Sequence, residues 1–308
     1  MDTRTLLRLI RTRRLLLLHS PNLLTSMNQF LSGLGRSQLQ THLLIAVLSS
    51  VAVTFTACEQ DDEITGGGIQ PPPNSCLPSN LENGLLAWYK FSSGSLEDSS
   101  GGGYDLDNST SASPGADRTG SDGCAYSFQS ANNEYLTFAN PAHLDGLTEL
   151  SVSLWFKPDA QDLQLINYLV QRGEVSESCS SLSRNWMVAI FDCKRPLMSY
   201  ADHNIWWTNT PAPGSSEDCS FYESFMESQW HHLVAIYDAN GLQLWLDGAP
   251  SLYGTQYLMC GMPIISDAQG DFFIGKDYDG LLDDVAVYDR VLTPAEIEEL
   301  RLIAPCCQ

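Results

Sequence analysis

The 308 residues are enough for one large β domain, or for two small domains, with terminal appendages. Residues 1–58 contain six arginines and one acid, which leaves ten basic and 36 acidic residues, a net charge of −26, for the rest of the chain. A body this acidic repels nucleic acid and anionic membranes and suits cations, Ca²⁺ in particular. A solvated surface adapted to salty surroundings is the alternative explanation for most of these carboxylates.

The N-terminal region predicts export. Leu43–Ala57 is an uncharged apolar run of 15 residues, the length of a signal-peptide core, whereas a membrane span needs roughly 20. It leads into Phe55–Cys58, FTAC, which resembles the lipobox of bacterial lipoproteins, with phenylalanine where leucine is usual. We therefore expect lipidation of Cys58 in an exported outer-membrane lipoprotein. Ordinary secretory cleavage near Ala57 is the alternative, and a start at Met27 would give a signal peptide of more usual length.

Residues 59–80 predict a disordered tether, because acidic, glycine-rich and proline-rich stretches follow one another without apolar periodicity. The acidic run after Cys58 resembles the signal that sends some lipoproteins to the cell surface, and a merely solvated linker is the alternative. The globular domain is predicted to occupy residues 81–308.

From Leu81 onward, short apolar segments alternate with loops rich in Gly, Ser, Asn and Asp, which is typical of strands and turns. The predicted strands are Leu85–Phe91, Ala125–Phe128, Tyr135–Phe138, Ser151–Lys157, Leu165–Gln171, Trp186–Phe191, Leu197–Ala201, Leu233–Tyr237, Leu242–Asp247, Phe272–Gly275 and Leu281–Tyr288.

The two central strands carry the clearest pattern. Leu233–Tyr237 is apolar on both faces, as expected for a strand between two layers. Leu242–Asp247 alternates like a strand with one buried face. Asn240-Gly241 between them favours the two positive φ angles of a type I′ turn, and Asp247-Gly248 is a second turn signal.

One helix is predicted, near the C-terminus. Thr293–Glu296 is a capping box with proline at the first helical position. Its apolar side is predicted to comprise Leu292, Ile297, Leu300 and Leu302. Many short strands and one terminal helix predict an all-β fold, a two-sheet antiparallel sandwich in one domain.

Taken together, these segments resemble the laminin-G-like, concanavalin A-like jelly roll. The resemblance covers roughly residues 85–302 and implies two curved sheets, ligand binding at a concave face or at rim loops, and often a bound Ca²⁺. Most members are binding modules. The chain departs from the family at Phe128–Ser130, where Phe-Asp-Gly is common, and so lacks a loop carboxylate. The matching segments are LLAWYKF, LEDSSGGGYDL, AYSFQSANNEYLTF, LSVSLWFKP, WHHLVAIYDANGLQLWLDG and FFIGKDYDGLLDDVAVYDRVLTPAEIEEL.

Loop carboxylates and carbonyl groups are the candidate Ca²⁺ ligands, because this ion prefers oxygen. They would meet if the first and last strands are neighbours, as the resemblance implies. The alternative is that Asp98 and Asp283 bind backbone amides and fix their loops. The candidates are Asp98, Asn133, Glu134, Asp283 and Asp284.

Aromatic residues in and beside the long segment 202–228 are the candidate carbohydrate site, because flat rings bind the apolar faces of sugars. Trp206 and Trp207 are the proposed platform, with Tyr200 and Tyr222 as helpers. A disulfide-pinned loop that packs over the sheet edge is the alternative.

No catalytic arrangement is predicted, so we do not expect an enzyme. Retaining glycosidases need two carboxylates close together on one strand face. Asp283 and Asp284 are expected on opposite faces and therefore cannot pair. His231 and His232 belong to the family's strand-opening pattern, which favours a structural role.

Nine cysteines with an export signal indicate an oxidising compartment. Setting Cys58 aside for the lipid leaves eight, whose connectivity cannot be deduced by counting. A link from Cys76 to Cys306 or Cys307 is favoured, since these flank the domain, and so is pairing among Cys179, Cys219 and Cys260. The eight are Cys76, Cys124, Cys179, Cys193, Cys219, Cys260, Cys306 and Cys307.

The sequence therefore predicts a lipid-anchored surface module that binds an extracellular carbohydrate or glycoprotein, organised by Ca²⁺. The lipid anchor is its expected membrane contact, and nucleic acid is not an expected partner. The alternatives are a glycan hydrolase or lyase of the same fold, and a purely structural or adhesive surface protein.

Overall fold

The computed structural model describes residues 77–159, 166–173, 183–191, 195–201, 203–206, 228–251, 257–258 and 267–305. All of them belong to one unit of the chain, Gln70–Gln308. The predicted signal region, Cys58 and the tether up to residue 76 lie outside the described residues. Within the described part, no helix has the length and apolarity that crossing a membrane requires.

The described residues form two antiparallel sheets, which confirms the predicted sandwich. Sheet A has eight strands in the order β12-β11-β10-β5-β15-β3-β2, with β1 also paired to β15. Sheet B has seven strands in the order β13-β9-β8-β7-β6-β14-β4. The strands are β1 (Leu85–Tyr89), β2 (Ser113–Gly115), β3 (Ala125–Phe128), β4 (Leu136–Phe138), β5 (Leu150–Pro158), β6 (Ile166–Arg172), β7 (Trp186–Phe191), β8 (Arg195–Tyr200), β9 (His203–Trp206), β10 (His231–Asp238), β11 (Gly241–Leu246), β12 (Ala249–Pro250), β13 (Tyr257–Leu258), β14 (Phe272–Ile274) and β15 (Gly280–Tyr288).

Every predicted strand is present with small shifts at its ends. The strands not predicted are β2, β9, β12 and β13, which contain two to four residues each. Such short segments carry too few residues to show a period of two. Strand β9 lies inside segment 202–228, which was expected to be a loop.

The main core lies between the two sheets and is built from alternate residues of each strand. Val152, Leu154 and Phe156 of β5 all face it, as their alternation predicts. Strand β10 is buried on both faces: Leu233 contributes to the main core, and Val234 contributes to a second apolar layer outside sheet A. The prediction of a strand between two layers is thereby confirmed.

The second layer covers the outer face of sheet A with two helices, α1 (Ser79–Glu82) and α2 (Pro294–Leu302). Leu81 of α1 and Ile297 and Leu300 of α2 pack in this layer together with Trp88 and Tyr288 of the sheet. The two helices also touch directly, because Asn80 Nδ2 donates to Glu299 Oε2 over 2.8 Å. The described chain therefore begins and ends on the same side of the sandwich.

One residue of α2 differs from the predicted apolar side. Leu292, Ile297 and Leu300 are buried as predicted, but Leu302 is 67% exposed. It lies at the end of the last turn, where the helix leaves the sheet.

The two turns of the central hairpins differ from each other. Asp247 and Gly248 have φ angles of 52° and 80°, the geometry of a type I′ turn. Asn240-Gly241 does not form the predicted type I′ turn, because Asp238 pairs with Gly241 and Asn240 is not among the residues with positive φ. The Asp238 carboxylate accepts from the Asn240 backbone N–H at 2.7 Å, and this Asx turn fixes the alternative geometry.

Strand β15 changes partner along one edge. Leu282 pairs with β3 and Val285 with β1, and the register to β5 shifts between Asp283 and Ala286. Asp284 lies in this bulge with a φ angle of 48°. A bulge breaks the alternation of a strand, so neighbouring side chains can share one side.

Removal of the α2 cap provides a first test. In the capping box, Thr293 Oγ1 accepts from the Glu296 N–H and Glu296 Oε2 accepts from the Thr293 N–H. We expect Thr293→Ala to lower the free energy of unfolding by about 1 kcal/mol, measured by urea denaturation. Leu302→Ala is the control, and equal losses for the two variants would contradict the cap.

Candidate functional site

The outer face of sheet B is the side of the sandwich opposite α1 and α2. One cross-strand row on it comprises Thr137, Phe273, Gln171, Met187 and Ser199, each in register with the next. Their neighbours along the strands face the main core, so this row lies on the opposite face of sheet B, where Gln171, Met187 and Ser199 are nonetheless buried.

At one corner of this face, aromatic and cationic groups meet. The rings of Tyr135 and Phe273 stand edge to face with centroids 5.4 Å apart. Lys276 Nζ lies 4.9 Å from the centre of the Phe273 ring. All three side chains are half-buried. We call them the aromatic corner; they offer ring surface, a phenol and an ammonium group, which suits a ligand that is partly apolar and rich in hydroxyl groups.

An apolar strip continues across the same face. Tyr168, Ala189 and Leu197 are in register on β6, β7 and β8. Together with Met187 and Phe191 they form a cluster separate from the main core. The middle of the outer face of sheet B is thus apolar, and Met187, Ala189 and Leu197 in it are buried.

The structure places the predicted carbohydrate residues differently from one another. Trp206 ends β9 in register with Leu197, so its position lies in the same cross-strand row as Tyr168, Ala189 and Leu197. The prediction that Tyr200 helps to bind carbohydrate is wrong. Tyr200 is 1% exposed, stacks on Tyr237 with ring centres 3.7 Å apart and donates its hydroxyl hydrogen to Leu147 O. A ring buried in this way cannot stack on a sugar. Trp207 and Tyr222 lie outside the described residues.

The aromatic corner is absent from the sequence predictions, although a signal existed for it. Phe272 and Phe273 are adjacent aromatic residues in one strand, so alternation must turn one of them outward. Phe272 is buried in the main core and Phe273 is the residue on the outer face.

Asp98, the first predicted Ca²⁺ ligand, fixes its own loop. Its carboxylate accepts from the backbone N–H groups of Trp88, Ser100 and Tyr104 at 3.0, 2.9 and 3.2 Å. The Ser100 hydroxyl donates to it as well, at 2.8 Å. The structure therefore gives Asp98 the loop-fixing role, which was the alternative to metal binding.

The next two candidates lie in the loop before β4. Glu134 accepts from Gln129 N at 2.8 Å and from Ser111 Oγ at 2.7 Å, while Asn133 is exposed. Among the described residues, no three His, Cys, Asp or Glu side chains are grouped closely enough to hold a metal ion. Ca²⁺ binding stays a prediction.

Asp283 and Asp284 correct the expectation that they face opposite ways. Arg118 Nη1 lies 2.9 Å from Asp283 Oδ2 and also 2.9 Å from Asp284 Oδ2. The bulge at Asp284 brings both carboxylates to this one guanidinium. Arg118 also lies over the Trp155 ring and donates through Nη2 to Ile303 O at the end of α2.

These groups form a buried polar cluster, defined as Arg118, Ser153, Trp155, His232, Asp283 and Asp284. Burial raises the pKa of Asp283, as does repulsion from Asp284, while Arg118 opposes the rise. Burial likewise raises the pKa of Asp284 against the effect of Arg118.

The two histidines have the structural role that the sequence predicts. His231 Nδ1 lies 2.8 Å from Asp247 Oδ2, and His232 Nε2 lies 2.9 Å from Ser153 Oγ. Both rings are buried. Burial lowers the pKa of His232 to about 3, so the ring is neutral near pH 7.

The lowered pKa of His232 predicts a pH dependence of stability. Unfolded histidine takes up a proton below its ordinary pKa of 6.5, whereas the folded ring resists protonation down to about 3. The contribution of the buried, neutral His232 ring to the free energy of unfolding is therefore complete above pH 6.5 and decreases as the pH falls towards 3. The raised pKa of Asp283 acts in the opposite direction, but it is common to wild type and to His232→Gln. We expect the urea midpoint of wild type to fall relative to that of His232→Gln between pH 7 and 4, and parallel curves would refute this.

Cys124 is the cysteine of the predicted set that lies among the described residues, and it is disulfide-bonded. The other seven predicted cysteines and Cys58 lie outside the described residues, and so the partner of Cys124 does as well. The predicted pairings remain predictions.

Comparison with known proteins gives one family match. Residues 130–298, more than half of the chain, match Laminin_G_3, described as the concanavalin A-like lectin/glucanases superfamily. No curated protein matches the chain.

Several solved structures are similar in fold. The botulinum neurotoxin serotype G binding domain has a TM-score of 0.51 at 14% identity, covering 71% of this chain and 51% of that one. The binding domain of Paraclostridial mosquitocidal protein 1 has a TM-score of 0.50 at 16% identity, covering 72% and 52%. Domain 4 of AbnA, a GH43 extracellular arabinanase from Geobacillus stearothermophilus, in complex with arabinotriose, has a TM-score of 0.46 at 17% identity, covering 70% and 98%. This chain spans about half the length of the two toxin domains.

Proposed function

The chain belongs to the Laminin_G_3 family of the concanavalin A-like lectin/glucanase superfamily, and from this premise we propose that it is a binding module for an extracellular carbohydrate or glycoprotein. The ligand is expected on the outer face of sheet B. The aromatic corner of Tyr135, Phe273 and Lys276 is the observation that carries the proposal.

The two outer faces of the sandwich differ in a way that supports this choice. Two helices and an apolar layer cover the outer face of sheet A. The middle of the outer face of sheet B is buried as well, but its corner carries half-buried rings beside a lysine. Sugar rings have apolar C–H faces and polar edges, so they pair with this combination of ring surface and hydrogen-bonding groups.

Catalysis receives no support from the carboxylates that the sequence singled out. Asp283 is fully buried and paired with Arg118, and Asp98 is held by its loop. A general acid or nucleophile must reach the glycosidic oxygen or carbon. We therefore propose a binding protein, with a glycan hydrolase or lyase as the first alternative and a structural or adhesive protein as the second.

Two variants test the site by glycan binding. We expect Phe273→Ala and Tyr135→Ala each to weaken affinity about five- to thirtyfold, because the removed ring contributes about 1–2 kcal/mol of stacking. Tyr135→Phe keeps the ring and should retain most of the affinity. Titration calorimetry on a ligand found by glycan array measures the effect.

The control for these variants is Leu302→Ala, on the opposite side of the sandwich. Unchanged affinity in both alanine variants would place the ligand elsewhere. Product release from a polysaccharide would replace the proposal with an enzyme, and neither binding nor turnover would favour the structural alternative.

The cellular context is proposed separately. We propose that Cys58 carries a lipid, that the protein is an exported outer-membrane lipoprotein at the cell surface, and that Ca²⁺ contributes to ligand binding. The composition of the N-terminal region and the acidic body support these proposals. Mass spectrometry of the mature N-terminus tests the lipid, protease access to intact cells tests the location, and binding with and without a chelator tests the ion.

A further inference from the structure

A small cavity lies between the outer face of sheet A and the end of α2. Its volume is about 10 Å³, the space of about one water molecule. Neither the proposed ligand site nor the main core includes it. Its walls are Trp88, Ser153, Trp155, His232, Asp284, Leu300 and Ile303.

Two nitrogens of these wall residues have no hydrogen-bond partner within the part of the chain that the structure describes: Trp155 Nε1 and His232 Nδ1. His232 is 1% exposed, and its other nitrogen is already engaged with Ser153 Oγ. Buried polar groups in folded proteins are nearly always paired, either with protein or with ordered water. The cavity is therefore the place where a partner for both nitrogens belongs.

The hydrogen-bonding groups that line the cavity determine which kind of molecule can bind in it. Trp155 Nε1–H only donates, while Asp284 Oδ2 lies 2.9 Å from Arg118 Nη1 as an ion pair but accepts no hydrogen bond from the described residues, so it can accept one. The partner must accept from the indole and donate to the carboxylate. A metal ion fails because an indole N–H has no lone pair to offer, and an anion is repelled by Asp283 and Asp284. Water satisfies both requirements.

We propose that the cavity binds one water molecule, which accepts from Trp155 Nε1, donates to Asp284 Oδ2 and pairs with His232 Nδ1. Either tautomer of the neutral His232 ring fits, because water can donate to Nδ1 or accept from it. Leu300 and Ile303 belong to α2 and its end, so the water lies directly beneath the helix. It thereby connects α2 to sheet A beside the Arg118–Ile303 bond.

Hydrogen exchange of α2 amides in the full chain tests the proposal. Trp155→Phe keeps an aromatic ring and removes the N–H, so the bound water loses a donor. We expect the Ile297 and Leu300 amides to exchange about fivefold faster, the factor for the loss of one net hydrogen bond.

Trp245→Phe is the matched control. Trp245 packs against the same second layer, and its Nε1 is also buried without a partner among the described residues, but it does not line the cavity. Because Trp245 does not line the cavity, its replacement leaves the bonds of the proposed water in place, so exchange in α2 should not accelerate fivefold. Equal behaviour of the two variants would indicate a dry cavity and overturn the proposal.

Crystallography of the wild-type protein gives an independent answer, which decides the matter if Trp155→Phe does not fold. One density peak at hydrogen-bond distance from Trp155 Nε1 and Asp284 Oδ2 supports the proposal. An empty cavity, or a peak with metal-ion distances, would reject it. None of these outcomes depends on whether the aromatic corner binds a glycan.

Discussion

Arg118→Met is expected to lower the free energy of unfolding by about 3–5 kcal/mol, because it leaves two buried carboxylates without their counter-charge. Arg118 forms ion pairs with both Asp283 and Asp284, and Asp283 is fully buried. Methionine has a similar length and keeps the contact with Trp155, so lost packing contributes little. Urea denaturation at pH 8 measures the loss.

The pH dependence separates charge from packing. Burial already raises the pKa values of Asp283 and Asp284, and removal of Arg118 raises them further. An acid with a raised pKa in the folded state stabilises the fold at low pH and loses that contribution as the pH rises. The destabilisation by Arg118→Met should therefore be smaller at pH 5 than at pH 8.

Two further variants serve as controls for Arg118. Arg301→Met removes an exposed ion pair with Glu298 and should leave the urea midpoint nearly unchanged. Adding Asp283→Asn and Asp284→Asn to Arg118→Met should restore part of the stability. A loss below about 1 kcal/mol at pH 8 would contradict the importance of the buried ion pairs.

Gly173→Ala is expected to destabilise the protein by about 3 kcal/mol, of which roughly 1 comes from the backbone and the rest from a steric clash. Gly173 has a φ angle of 66°, and a Cβ there would overlap Gln269 O and approach Asn185 Nδ2 to 2.6 Å. Its N–H also donates to Asp271 O, so the chain cannot move away without breaking that bond.

The matched control is Gly101→Ala. Gly101 has a φ angle of 86°, but a Cβ there would have no neighbour within 4 Å, so only the backbone cost of about 1 kcal/mol remains. The difference between the two variants measures the clash. The two free energies of unfolding are compared by thermal or urea denaturation. Equal losses would show that segment 268–271 moves to make room for the added methyl group.

The strands of the sandwich could be predicted because each has a period of two and ends at a turn residue. The bulge at Asp284 could not, because it arises where β15 changes its partner from β3 to β1. Arg118 was missed for a similar reason: it lies in a loop without periodicity and meets Asp283 across 165 positions of sequence. Strand alternation therefore predicts Asp283 and Asp284 on opposite faces, whereas both carboxylates contact Arg118 in the structure.

Tyr200 shows why the direction of a side chain is hard to predict in β8. Met198 and Tyr200 face the main core, while Leu197 belongs to the apolar strip on the outer face of sheet B. A strand that is apolar on both faces gives no signal for which face is inward. The same apolar outer face made Phe272 and Phe273 indistinguishable in sequence.

The contact between α1 and α2 determines which side of the sandwich faces a surface to which the domain is attached. Because the described chain starts and finishes beside the outer face of sheet A, a fusion partner or an immobilisation tag joined directly before residue 77 or directly after residue 305 is attached behind that face. The aromatic corner then points away from the attachment. Coupling at either of these two positions should accordingly preserve ligand capture, whereas coupling through Lys276 should block it.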